Sequence, residues 1–196
     1  METDHALLDA ARRMDEEALV KIFDLYSPAL YHYALRMCSD PVLADHIVGD
    51  VFAKLLEQLS AGNGPSTNLR AYLYSSVYHC IIDEVRDSQH QLPLELAISL
   101  RRDAQLSLED KLLLRQISLV IRSELTDDQR HVIVLRFLEG LSIRETAGIL
   151  GKTVDHIKVI QNRALTRLRE SIENQGRTKP VPPTRLRKLS KALGIR

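Results

Sequence analysis

The chain reads as an all-α protein: two small helical domains joined by a flexible linker, the C-terminal one containing a helix-turn-helix. Three observations predict this. Apolar residues recur at three- and four-residue spacing through most of the 196 residues, and no alternating strand pattern occurs. Helix start and stop signals punctuate those stripes. The periodicity weakens around Pro93, which marks a boundary. The domains read this way are 1–90 and 108–175, with a linker at 91–107 and a basic, proline-containing tail at 176–196.

The first domain opens with residues 6–38, which read as two helices. Ser27 followed by Pro28 has the form of a cap and a first helical position, after which Leu30, Tyr33, Ala34 and Met37 repeat at helical spacing. Asp40–Pro41 repeats the same signal. The helix it starts, about 41–59, carries the apolar stripe Leu43, Ile47, Val51, Leu55 and Leu59. Its other side holds Asp45, His46, Asp50, Lys54 and Glu57, which suits either a solvated face or a docking surface for another protein. SAGNGPST (60–67) is a loop. Asn68 can cap the next helix, whose stripe is Leu69, Leu73, Val77, Ile81 and Val85. Tyr74 and Tyr78 fall on a different face, near Arg70 and His79. Aromatics beside cations can stack on unpaired bases; aromatics at helical spacing also serve as half-buried packing residues.

The second domain punctuates itself more sharply. Ser107 with Asp110 starts a helix at about 108–123. Thr126 with Gln129, and Ser142 with Glu145, are capping boxes. Gly140 and Gly151 stand where helices should stop, because glycine takes the left-handed backbone without steric cost. Thr153 suits the N-cap of the next helix. Helices are therefore expected at about 127–138, 143–150 and 154–172. The last two have helix-turn-helix spacing, with Ala147 small at the crossing and Ile157 and Ile160 facing the core. In that motif the second helix enters the major groove. Here it would present Lys158, Asn162, Arg163, Thr166, Arg167 and Arg169, types that reach phosphates or base edges.

Composition excludes several classes. Hydrophobic content of 44% and charged content of 27% are those of a soluble globular protein. No apolar run approaches membrane-spanning length. The segment METDHALLDAARR is too acidic for a signal peptide. Cys38 and Cys80 lie on apolar helix faces, which fits reduced core thiols and a cytoplasmic location. His79 beside Cys80 has no second pair at ligand spacing, so no metal site is expected. No nucleophile–base pair, paired carboxylates or phosphate loop is present, so neither enzyme chemistry nor a cofactor is expected. Charge is uneven. Residues 1–90 hold 7 Lys/Arg against 14 Asp/Glu, residues 91–176 hold 13 against 12, and residues 177–196 hold 7 against none. An acidic front and a basic tail imply different partners. In the tail Leu186, Leu189 and Leu193 share a helical face among basic residues; a solubilising tail, a phosphate-contacting arm and a dock for a partner all fit.

The stretch DEEALVKIFDLYSPALYHYALRMCSDPVLADHIVGDVFAKLLEQL, with NLRAYLYSSVYHCIIDEVRD after it, resembles the N-terminal domain of the extracytoplasmic-function (ECF) sigma factors of bacterial RNA polymerase. LTDDQRHVIVLRFLEGLSIRETAGILGKTVDHIKVIQNRALTRLRE resembles their C-terminal domain, in the right order and at the right spacing. The resemblance implies a factor that binds core polymerase and directs promoter recognition, with promoter DNA and an anti-sigma factor as further partners. It implies polymerase contacts at Asp45, Asp50, Val51 and Phe52. It places Asn68, Arg70, Tyr74, Tyr78 and His79 near single-stranded promoter DNA, and Lys158, Asn162, Arg163 and Arg167 on the upstream duplex. The chain departs from the family pattern at His46 and Gly49, usually an acid and a glutamine. It departs again at Ser75, Tyr78, His79, Glu84 and Asp87 on a helix that is usually basic. In the groove helix, Val159 and Ile160 stand where polar or basic residues are usual, and Gln161 where an apolar one is. Two competing functions are a dimeric helix-turn-helix regulator that never enters polymerase, and a sigma-like protein acting only through protein contacts.

Overall fold

The computed structural model describes residues 2–87 and 121–176. The expected linker, most of the helix expected at 108–123 and the tail beyond 176 lie outside those residues. Every element among the described residues is helical, and the chain divides into two compact units.

The first unit has four helices: α1 (Glu2–Arg12), α2 (Glu16–Cys38), α3 (Pro41–Ser60) and α4 (Leu69–Asp87). α2 packs on α3 and α4, α3 on α4, and α1 closes against α2 and α3. The break between α1 and α2 falls at Met14, in the left-handed region with φ 59°, and Asp15 caps α2 by accepting from the Ala18 N–H at 2.9 Å. The start expected at Ser27–Pro28 is therefore not a start: Pro28 lies inside α2. Burial decides this. Ala18, Ile22, Tyr26, Leu30, Ala34 and Met37 form one continuous buried stripe through the proline. An interior proline costs about 3 kcal/mol, whereas each large apolar side chain removed from water gains about 1.5–3 kcal/mol. The run outweighs the single lost hydrogen bond.

α3 starts as expected. The Asp40 carboxylate accepts from the Val42 and Leu43 N–H groups at 2.8 and 3.2 Å, and Pro41 takes the first turn. Its inner stripe, Ile47, Val51, Leu55 and Leu59, meets Leu73, Val77 and Ile81 of α4 and the aromatic rings of α2 in one buried core. Cys38 is buried, its thiol donating to the Ala34 carbonyl at 3.0 Å, and burial raises its pKa. Cys80 is only half-buried, and burial raises it as well.

In the second unit, helical residues 121–124 lead into α5 (Asp127–Ile133), which widens into a π-helical turn at Val134–Leu138. α6 (Ile143–Ile149) and α7 (Val154–Gly176) follow. α7 packs on α5. Ile121, Leu125, Ile133 and Ala164 form a core cluster, with Phe137, Leu165 and Leu168 against it. Both expected capping boxes are present. Thr126 and Gln129 bond reciprocally at 3.1 and 3.5 Å, and Ser142 and Glu145 at 2.7 and 3.2 Å. Gly140 and Gly151 take φ of 68° and 61° at the two helix ends, the conformation for which a glycine is needed there. Local chemistry thus fixes where each of these helices begins and stops.

Candidate DNA-binding and docking surfaces

On α3, Asp45, His46 and Asp50 are exposed, as their positions opposite the inner stripe require. His46 Nε2 lies 3.7 Å from Asp50 Oδ2. The pair is solvated, so its net energy is small. Val51 and Phe52 are placed differently from Asp45 and Asp50. Val51 is 1% exposed and belongs to the inner stripe, and the Phe52 ring is buried against Phe23 at 4.8 Å between centroids. Neither offers a free surface in this fold. What Phe52 does instead is hold Phe23, which is 47% exposed. Val20 and Leu56 are exposed too. Nothing in the spacing marks Phe23 or Leu56 as exposed, since each lies one residue beyond a buried stripe residue, Ile22 or Leu55. Large exposed apolar residues beside acids are a surface feature that periodicity alone does not flag.

At the start of α4, Asn68 sits in the left-handed region with φ 47°, and its side-chain oxygen accepts from the Ala71 N–H at 3.1 Å. It is exposed and caps the helix. The Arg70 guanidinium lies 5.7 Å from the centre of the Tyr74 ring. Tyr74 itself is 1% exposed, with its ring 5.6 Å from that of Tyr33. It is a core residue and has no open face on which a base could stack, which corrects the place that the family resemblance implies for it and leaves the packing role that its spacing also allowed. Tyr78 is half-buried and His79 exposed, their rings 5.3 Å apart and tilted. This surface therefore brings Tyr78 and His79 together, with Arg70 and Asn68 toward the helix start.

α7 separates its faces cleanly. Ile157, Ile160 and Ala164 are buried, while Lys158, Asn162, Arg163, Thr166 and Arg167 are all exposed. Thr153 caps the helix, accepting from the His156 N–H at 3.2 Å. Lys158 donates to Asp155 at 2.8 Å and holds that carboxylate below its usual range. Arg167 Nε is 4.0 Å from Glu124. The unusual residues Ile160 and Gln161 explain each other. Ile160 turns into the core, and half-buried Gln161 accepts from Arg136 Nε at 3.2 Å. Arg136 also donates to the Leu141 carbonyl. One guanidinium thus ties the π-helical turn, the loop before α6 and the middle of α7 together.

An acidic four-helix unit followed by a capped helix-turn-helix with a basic outer face defines a class: a two-part, all-helical transcription factor. The sigma-70 region 2 model matches residues 22–91, and the sigma-70 region 4 model matches residues 123–170. The chain belongs to the sigma-70 family, and within it to the extracytoplasmic-function sigma factors. It is 26% identical over 176 residues to the ECF RNA polymerase sigma factor BldN of Streptomyces coelicolor, covering 87% of this chain and 66% of that one. It is 29% identical over 179 residues to the ECF RNA polymerase sigma factor SigX of Bacillus subtilis, covering 81% and 85% respectively. The fold is shared with CnrH, solved in complex with the cytosolic domain of CnrY, at TM-score 0.67 and 22% identity over 87% of this chain and 97% of that one. It is also shared with RpoE of Bartonella quintana, solved with the anti-sigma factor NepR, at TM-score 0.59 and 23% identity over 78% and 95%. The protein is thus a sigma factor: it gives RNA polymerase its choice of promoter. The family consists of binding proteins and not of enzymes. No helix among the described residues is long and apolar enough to cross a membrane.

Proposed function

We propose a division of this activity among three surfaces. The outer face of α3, carrying Asp45, His46 and Asp50, docks on core polymerase. Exposed Phe23 and Leu56 supply apolar area beside it. The start of α4, with Asn68, Arg70, Tyr78 and His79, lies along the melted strand. The outer face of α7 reads the upstream promoter element as duplex, with Lys158, Arg163 and Arg167 on phosphates or bases and Asn162 and Thr166 toward base edges. A connecting segment at 91–107 joins the two parts. The protein works in the cytoplasm, without a cofactor, and an anti-sigma factor is the regulator that its structural relatives suggest.

The observation that carries this reading is the exposure of all five polar α7 residues on one side of a helix whose other side is buried. Run-off transcription with sigma-free core polymerase on genomic fragments tests it. The chain should start RNA at defined sites. Arg163→Ala should weaken promoter binding by roughly 1–3 kcal/mol while leaving core binding intact, and Asp50→Arg should do the reverse. A chain that never associates with core enzyme, or transcription that is indifferent to Arg163, removes the assignment.

A further inference from the structure

On the outer face of α7 one residue does not fit its surroundings. Val159 is 46% exposed, among the most exposed large apolar side chains of the described residues, and the only one of these in the second unit. At about 100° per residue it lies roughly 160°, 100° and 140° around the helix from buried Ile157, Ile160 and Ala164, so it stands on the outer side. Its helical neighbours on that face are Asp155, Asn162, Arg163 and Thr166, all exposed and polar. A β-branched residue gains nothing there from helix propensity, since straight-chain polar residues serve an exposed helix position better. Packing does not explain it either, because Ile157, Ile160 and Ala164 already fill the inner side.

We infer that Val159 is a specificity-determining residue that contacts the C5-methyl group of a thymine in the upstream promoter element. The inference rests on α7 being the groove helix. In the major groove thymine is the base that offers a methyl group, and small apolar side chains are the ones that meet it. Flanking Asn162 and Arg163 suit adenine and guanine edges and would set the register around it. Val159 has no donor or acceptor, so its preference is purely apolar and independent of hydrogen bonding. Losing one buried methyl contact corresponds to roughly a three- to fivefold change in affinity.

The test uses full-length protein with core polymerase and a duplex selected by that holoenzyme from a random pool. Each thymine of the upstream element is replaced in turn by uracil, which deletes the methyl and keeps every hydrogen-bonding group. Wild type should lose about three- to fivefold at one position. Val159→Ser should bind the thymine duplex more weakly by the same factor and show no further loss with uracil there. Val159→Ile should restore the thymine preference, which a merely structural role would not. Arg163→Ala on the same duplexes separates the two levels of failure. If it weakens binding but no uracil position depends on residue 159, the thymine contact is wrong and the groove helix stands. If Arg163→Ala also changes nothing, both are wrong.

Discussion

The two units reach the same secondary structure by different physics. In the first, Asp15, Asp40 and Asn68 cap the starts of α2, α3 and α4, but packing overrides one further start signal: α2 continues through Pro28 because the buried stripe on both sides of it is unbroken. In the second, boundaries follow local chemistry, with two reciprocal capping boxes and two left-handed glycines setting the ends of short helices. Short helices are marginal by themselves, and α5 and α6 have seven residues each. A helix-turn-helix needs its second helix aimed with accuracy, and end-fixing supplies that aim. The comparison teaches that a local start signal is obeyed where no longer buried stripe runs across it, as at Ser142, and is overridden where one does, as at Pro28.

Loss of a core side chain in the packing-defined unit should have the largest effect. Leu30 is fully buried two residues after Pro28. Leu30→Ala should cost about 2–5 kcal/mol, by loss of transfer energy and by the cavity left behind. Urea denaturation followed by circular dichroism measures it. A cost below about 1 kcal/mol would mean that packing does not hold α2 together across the proline.

This difference also explains what the sequence showed and what it hid. All four helix ends around Gly140 and Gly151 were legible, because each start has cap and partner three residues apart in the chain and each stop has its own glycine. Pro28 misled because Ser-Pro looks the same whether or not a core exists beside it. For Tyr74 spacing left stacking and packing both open, and the family resemblance pointed to DNA; its ring is covered by Tyr33 on another helix, a contact that spacing cannot reveal. Val51 was legible as an inner-stripe residue, and family likeness pulled it outward against that reading. The polar set on α7 was legible from periodicity anchored on Ile157. The tie from Arg136 to Gln161 was not, because it joins residues on different elements.

A middle-sized effect sharpens the contrast through pH. Burial first, and then the neighbouring charge of Arg130, lower His131 from 6.5 to about 3. The imidazole is neutral in both states above pH 6.5, so the fold carries no penalty there. Between 6.5 and about 3 the unfolded chain takes up a proton that the folded one refuses, and stability falls as pH drops, by about 1.4 kcal/mol per unit at most. At pH 5 the second unit should therefore have lost roughly 2 kcal/mol relative to pH 7.5 through this residue. His131→Gln should show a correspondingly shallower loss. Equal pH slopes for the two proteins would place the acid sensitivity elsewhere.

The smallest effect separates the two kinds of boundary most directly, because it compares two serines that look alike in sequence. Ser142 accepts from the Glu145 N–H at 3.2 Å while its own N–H donates to Glu145 at 2.7 Å, so it starts α6. Ser27 precedes a proline and looks like a start, yet lies within α2. Ser142→Ala should cost about 1 kcal/mol, the usual value of a lost N-cap, and should loosen promoter binding because α6 sets the approach of α7. Ser27→Ala should stay within about 0.5 kcal/mol of wild type, since alanine suits a helix interior and no cap is lost. Thermal melts of both variants decide the matter. If Ser27→Ala is the costlier of the two, Ser27 acts as a cap and packing does not carry α2 across the proline.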